Sequence, residues 1–340
     1  MQPGNGALKY LKLFRLQTGA TTALAPVIGY LVLGAQLNYC FNFTEISLLF
    51  IIGILMHIFE FVLNEYVDVD VDKLSPDLAE KPLVKGTVSL PTALVVTIGA
   101  LVLCYLLTIV FFLNLWTLIM LTLAFEFGAI YDIHGKRFPG SDFTLALWIF
   151  FFCLFGASVV SNQYTGILYL VAGLGFFQIL FNNAVEGGIK DADHDATAGA
   201  HTLAHVLGVH VQNGRLIIPN MFKFTTYAIK IGHISLVLVL IYFGIINIST
   251  TADYFHLLII ILLIIIIFYT MHKFLSVTVF NRDKLKRIFS IHEIATFYLA
   301  PVLLVQLLGL LPVLVILFLP LAWFIILNII LYGKPLEPRV

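Results

Sequence analysis

Runs of eighteen or more apolar residues recur along the whole chain, and this recurrence restricts the possible folds more than any other feature. A helical run of that length matches the hydrocarbon thickness of a bilayer. Lipid offers no partner to backbone N–H and C=O groups, so only helices and closed barrels cross it. The runs here are continuous rather than alternating in polarity, which predicts helices and a polytopic membrane protein. Composition agrees: 60% of the 340 residues are hydrophobic and 11% are charged, against about 25% charged in a soluble domain. The expected spans are 18–37, 45–63, 91–113, 115–131, 143–160, 166–186, 224–246, 254–272, 293–310 and 312–332. The last two would measure about 60 Å as one helix, twice the hydrocarbon core, so a turn at Gly309–Pro312 divides them. No cleavable leader is expected, because the first run, about Thr18–Leu37, is long enough to remain as a span.

The basic residues set the expected orientation. With ten spans and an inside N-terminus, all 19 Lys and Arg fall on one side. They run from Lys9, Lys12 and Arg15 before the first span, through Lys223 and Lys230 at the seventh, to Lys334 and Arg339 after the last. Lys and Arg accumulate on the cytoplasmic side, which predicts cytoplasmic termini in a plasma-membrane protein. The triplets Asn42-Phe43-Thr44 and Asn247-Ile248-Ser249 then lie outside as glycosylation sequons. Cys40, Cys104 and Cys153 are scattered and suggest neither a metal site nor a disulfide framework. The formal net charge is zero and singles out no partner; lipid is expected as one, and nucleic acid is not.

Two acidic clusters break the apolar pattern. "NEYVDVDVD" (64–72) follows the second expected span, and "EGGIKDADHDATAGAHTLA" (186–204) follows the sixth. Four spans separate them, so both are expected on the cytoplasmic face. Each carries three aspartates spaced by two, 68/70/72 and 191/193/195. The chain therefore reads as two four-helix units, 10–135 and 140–275, followed by an amphipathic segment and helical hairpin over 280–340. Residues four apart share a helix face. Glu60, Asn64, Asp68 and Asp72 form one such ladder, and Asp191 with Asp195 another, beside Glu186 and Lys190. Gly187-Gly188 is expected to interrupt the sixth span and let the backbone turn or approach closely. Clustered carboxylates repel unless cations lie between them, and Mg²⁺ takes one or two carboxylates together with substrate phosphate oxygens. These clusters are thus candidates for holding metal ions that in turn hold a phosphorylated substrate.

Three other readings compete. The first is a solvated acidic loop. The second is a calcium loop, which fails at both clusters: Lys73 and Ala196 occupy the sixth position where Gly is needed, and Ala79 and Thr202 the twelfth where Glu is needed. The third is an ion or proton pathway, for which Glu60 and Glu126 lie within spans. Against it, no span shows the paired midplane breaks of inverted-repeat transporters.

The motifs together resemble the UbiA superfamily of intramembrane prenyltransferases. Its N-x-x-x-D-x-x-x-D motif is matched by Asn64, Asp68 and Asp72, and its basic-Pro-Leu and Gly-x-Val-Ser element by "KPLVKGTVS", with Lys81 in place of Arg. Its D-x-x-x-D motif is matched by Asp191 and Asp195, followed by Gly199, Thr202 and Leu203; "YDIHGKR" (131–137) is similar to its tyrosine-to-basic loop. The resemblance covers about residues 10–270. It departs in the number of helices, ten against the usual nine, and in Glu65, which lies off the ladder and is expected to matter little. It implies an all-α bundle of nine to ten helices around a prenyl-diphosphate cavity, and transfer of a polyprenyl group from its diphosphate with Mg²⁺ held by Asp68, Asp72, Asp191 and Asp195. Positioned cations stabilise a leaving group on which charge develops; the candidates are Arg15, Lys81, Lys136, Arg137 and Lys190, with Asn64 near the substrate, and with Tyr66 and Tyr131 either facing the cation with their rings or, more commonly for such residues, serving as membrane-interface aromatics. The acceptor that the resemblance implies is an aromatic quinone precursor or an isoprenoid lipid. The rival class is a carboxylate-lined transporter or a lipid-binding protein without chemistry. The basic segment "NRDKLKRIFSIHE" (281–293) lies outside these motifs and reads as an interfacial helix attracting anionic lipid, with His292 and Glu293 read as a packing hydrogen bond in preference to a polar pair near the site mouth.

Overall fold

The computed structural model describes residues 5–73, 78–135, 137–193 and 199–335. After a short α1 (Asn5–Leu13) come α2 (Gly19–Gln36), α3 (Phe43–Asp72), α4 (Leu90–Phe111), α5 (Leu115–His134), α6 (Ser141–Ser158) and α7 (Gly166–Phe181). Then follow α8 (Asn220–Tyr242), α9 (Thr251–Leu275), α10 (Arg282–Leu303) and α11 (Leu310–Tyr332). Among the described residues, nine helices are long and apolar enough to cross a membrane, and the only sheet is a two-stranded hairpin. Besides the short α1, the helix absent from those nine is α10. The expected ninth span, 293–310, does not start at 293. The basic segment and the apolar residues after it are one helix, and Arg282, Asp283, Lys284, Lys286 and Arg287 fill its first two turns. A short helix, Val305–Leu308, follows, and the chain turns at Gly309 (φ 82°) before α11.

The chain divides into two compact units. The first comprises Met1–Ile133, Phe151–Tyr164 and Phe318–Val340. At its centre is α3, against which α2 and α4 pack. α4 shows how these helices are built: Ala93, Thr97, Ala100, Cys104 and Thr108 are buried, while Val95, Val102, Leu106 and Val110 are exposed. Small residues face the protein and branched aliphatics face outward, as close helix packing in lipid requires. The polar end of α3 is held by Leu13 of α1, Val62 and Val69 of α3 itself, and Leu83 and Val88 of the segment after it. These contacts fix the helix turns that carry Asp68 and Asp72.

Helices α2 and α6 approach closely through glycine. A Cβ on Gly156 would coincide with the Pro26 carbonyl, and one on Gly29 with the Cys153 carbonyl. Backbone cannot yield as a flexible side chain does, so Gly156→Val should destabilise the folded protein by at least the ~1–3 kcal/mol usual for overpacking. The control is Gly99→Val in α4, where no atom lies within 4 Å of the added Cβ. Thermal denaturation of the two variants in the same detergent should show a clear loss for Gly156→Val and almost none for Gly99→Val. Equal midpoints would remove the argument.

The second unit comprises His134–Phe150 and Thr165–Leu317. Here α7 packs on α8, and α9 on α10. Strands His210–Gln212 and Arg215–Ile217 pair antiparallel through an Asn213-Gly214 turn with both residues at positive φ, the turn that matches strand twist. The core gathers Phe181, Ile189, Leu216, Phe274, Leu285 and Phe289. Leu285, Ile288 and Phe289, the expected apolar face of the basic segment, are buried in it. Protein rather than lipid therefore covers that face.

Candidate active-site motifs

The first motif is helical to its end. α3 runs unbroken through Asp72, so the four-residue ladder Glu60, Asn64, Asp68 and Asp72 lies along one face. Burial follows the ladder. Asp72 is buried and Asp68 half-buried, whereas the Asp70 side chain is 86% exposed and pairs with its neighbour Lys73, at 2.9 Å. Lys81, from the loop after α3, donates to Asp72 Oδ2 at 2.6 Å. An expected substrate cation thus sits on an expected metal carboxylate, and each screens the charge of the other.

Two features of this motif were not anticipated from the sequence. Glu65 is 3% exposed and accepts from Arg15 Nε at 3.1 Å, so the residue expected to matter little is the anchor of Arg15. Arg15 itself has a left-handed backbone (φ 43°) and its guanidinium lies 5.4 Å from the Phe61 ring centre. Second, Glu60 meets Asp132 of α5; both are buried, and Asp132 is also in reach of Asn64. The first motif therefore has a buried carboxyl pair behind it. The signal for this was an acid one turn before Asn64 on the same face. Tyr66 and Tyr131 are half-buried in this unit.

The second motif is built differently. After α7 the helix widens into a π-helical turn, Asn182–Gly187, and returns to α-geometry at Gly188–Lys190. Gly187 and Gly188 keep helical angles, so the break is a bulge rather than an extended segment. The expected close approach occurs at Gly188, where an added Cβ would strike the Ala204 side chain. Asp191 follows, with Lys190 Nζ 3.7 Å from its Oδ2. Asp193 is taken by Arg282 at 2.6 Å, and Arg282 Nε also donates to the Lys190 carbonyl at 3.3 Å. The start of α10 therefore docks on the second motif. Lys286, one helical turn on, also reaches this region: burial and the positive charges of Lys190 and Arg282 push its ammonium below the ordinary value, opposed by Asp191 and Asp283. Arg282 and Lys286 are the cations that the sequence assigned to lipid. Arg137 is exposed, and Lys136 and Asp195 lie outside the described residues.

Among the described residues no three His, Cys, Asp or Glu side chains converge as a metal cage. Mg²⁺ does not require one, since it keeps waters and takes phosphate oxygens beside one or two carboxylates. Asp68 and Asp72, one turn apart and partly accessible as a pair, fit that use.

Comparison with known proteins gives a consistent result. The UbiA prenyltransferase family model matches residues 23–290. No curated protein sequence matches the chain. Among solved structures, a digeranylgeranylglyceryl phosphate synthase is 18% identical, with a TM-score of 0.66 over 89% of this chain and 98% of that one. A UbiA homolog from Aeropyrum pernix K1 is 17% identical, with a TM-score of 0.62 over 85% and 96%. A UbiA homolog from Archaeoglobus fulgidus bound to GPP and Mg²⁺ is 19% identical, with a TM-score of 0.61 over 87% and 99%. These similarities establish a shared fold.

Proposed function

Because the chain belongs to the UbiA prenyltransferase family, we propose that it moves a polyprenyl group from its diphosphate to an acceptor within the membrane, with Mg²⁺ held by Asp68 and Asp72 on one motif and Asp191 and Asp195 on the other. The observation that carries this reading is the burial pattern of α3, which turns Asp68 and Asp72 to one face and leaves Asp70 in solvent. Support also comes from the Archaeoglobus fulgidus relative, whose structure holds GPP and Mg²⁺.

The chemistry needs a leaving group stabilised more in the transition state than in the ground state. The allylic C–O bond breaks and its electron pair leaves with diphosphate. Asp68, Asp72, Asp191 and Asp195 would hold the Mg²⁺, whose chemistry when bound would be to offset the charge developing on the leaving diphosphate. The chain's own cations add to this. Lys190, with Arg282 and Lys286 beside it, forms a positive group at the second motif, while Lys81 serves the first and Lys136 and Arg137 the loop between them. The apolar spans supply a water-poor environment that keeps the allylic cation from hydrolysis. The acceptor is either a hydroxylated aromatic ring or a prenylated glyceryl phosphate. Under this reading α10 crosses beside α9 as a tenth span, with Gln306 after it bonded to Asn247 of the outer loop, so both acidic motifs and both termini face the cytoplasm at the plasma membrane, as the segregation of basic residues favours. Lys230 leaves that set, because it lies within α8 and not at its end.

The test uses purified protein in lipid with labelled geranylgeranyl diphosphate, Mg²⁺ and both kinds of acceptor. Diphosphate should appear only with a competent acceptor, and the product mass identifies it. Chelating the metal should abolish release, and restoring Mg²⁺ should recover it. Release that survives chelation would remove the metal from the account. Flux of the labelled substrate across vesicles without diphosphate release would instead favour a transporter.

A further inference from the structure

Deep in the second unit lies a group of ionisable side chains that neither motif uses. Lys230 on α8 is fully buried, and its Nζ has no hydrogen-bond partner. It sits 3.7 Å from the centre of the Phe181 ring. The His292 ring stacks on the same phenylalanine at 4.9 Å. His292 Nδ1 bonds Thr270 of α9 at 2.9 Å, leaving its Nε2 without a partner. His233, one turn beyond Lys230, is buried with Nδ1 unpartnered. Glu186 enters from the π-helical turn, with neither carboxyl oxygen satisfied by a donor, and meets the carboxyl of Glu293 from α10. The cluster draws on four elements: α7 with its bulge, α8, α9 and α10.

A packing role explains these residues poorly. Ionisable groups in a span are costly and occur there chiefly for function. A cation over Phe181 is attracted by the ring face, but the ring satisfies none of the three N–H donors as an acceptor would. Two buried carboxyls that face each other cannot both be ionised cheaply, so the pair is suited to hold a proton between them. The π-helical turn that supplies Glu186 is itself a costly irregularity, of a kind frequent at functional sites. The cluster also leads to the second motif. Lys190 is one turn beyond Glu186, acts electrostatically on both Glu186 and Glu293, and adjoins Asp191.

Prenyl transfer releases a proton as well as diphosphate. When an acceptor oxygen or ring carbon bonds to the prenyl carbon, its O–H or C–H electron pair stays behind and H⁺ must leave. We propose that Glu186 and Glu293, with Lys230, His233 and His292, form the internal acceptor for that proton. This rests on the prenyl-transfer reading above. The carboxyl pair takes the proton, Lys230 and the two imidazoles adjust the charge of the pair, and the proton returns to solvent between turnovers. The charged groups acting on the pair are Lys190 from the helix of Glu186 and Lys230 from α8, and His233 and His292 gather around Lys230. On the far side of the bulge Asp142 of α6 accepts from Asn183 at 2.7 Å.

The experiment is single-turnover transfer in lipid across a pH series, with Mg²⁺, a prenyl diphosphate and the acceptor found competent for the wild type. A wild type that releases no diphosphate defeats the prenyl-transfer reading itself, and is read before any variant. Given transfer, Glu186→Gln and Lys230→Met should slow it about a hundredfold or more near neutral pH, the range of a lost acid–base group. The rate should climb as pH rises and solvent base takes over. Half-saturation by Mg²⁺ and by the prenyl diphosphate should stay close to wild type. Glu186→Ala should recover part of its rate with added formate, a carboxylate small enough to enter the space. A merely structural role predicts loss at every pH alike, altered substrate affinity and no response to formate, and that result would overturn the proposal. Should these variants not fold, the wild type decides. A solvent deuterium effect on transfer that exceeds the effect on diphosphate release with a non-transferring acceptor analogue supports an internal proton step; equal effects remove it.

Discussion

Asp68→Asn, Asp72→Asn and Asp191→Asn should each lower turnover about a hundredfold or more, the loss expected when metal stabilisation of a leaving group is removed. Asp70→Asn and Asp193→Asn should stay within about tenfold, or 1.4 kcal/mol. The division follows from angle and from partners. On a helix, residues two apart point about 200° from each other and residues four apart about 40°. α3 is helical through Asp72, and the exposed Asp70 pairs with Lys73. Asp193 is occupied by Arg282. The Asn substitutions keep volume and remove the charge that balances a dication. Diphosphate release across a Mg²⁺ titration separates the two groups. An Asp70→Asn variant as impaired as Asp68→Asn would sink the ladder account at the first motif, while leaving family membership intact.

Nine of the ten spans and the motif order were legible because both are properties of short windows. A bilayer imposes length and apolarity on each helix separately, and an i, i+4 ladder needs only one helix to be read. What escaped the sequence depends on contacts between distant segments. Glu65 looked incidental because its partner, Arg15, is fifty residues away. Arg282 and Lys286 read as lipid-facing because the charges of an amphipathic helix do not reveal whether lipid or protein covers its apolar face; here Leu285, Ile288 and Phe289 enter a protein core. Lys230 was counted with the flanking basic residues because it lies near a span end in sequence, yet in α8 it is buried over Phe181. Small residues such as Gly156 carry no polarity signal, and their role appears only when the Pro26 carbonyl is seen against them.

Arg15→Met should destabilise the protein by about 3–5 kcal/mol, the cost of breaking a buried ion pair from one side. Glu65→Leu, which strands the arginine instead, should also destabilise, though less, because Arg15 is 17% exposed against 3% for Glu65 and retains access to water. The double variant should recover most of the loss, since replacing a buried pair by apolar residues is often neutral or better. The surrounding structure supports this coupling. The Arg15 carbonyl bonds His57 Nε2 at 3.1 Å, and Trp323 Nε1 donates to the next carbonyl, that of Leu16, at 2.7 Å. These contacts tie the left-handed turn at Arg15 to α3 and α11, so losing the ion pair loosens the entry to α2. Denaturation of the wild type, both single variants and the double variant in one detergent gives the coupling directly. Turnover then separates two roles for Arg15. If the guanidinium serves Glu65, the stable double variant should keep transfer within about tenfold of wild type. A double variant that is as stable as wild type but needs far more prenyl diphosphate for half-saturation would instead place Arg15 on the diphosphate.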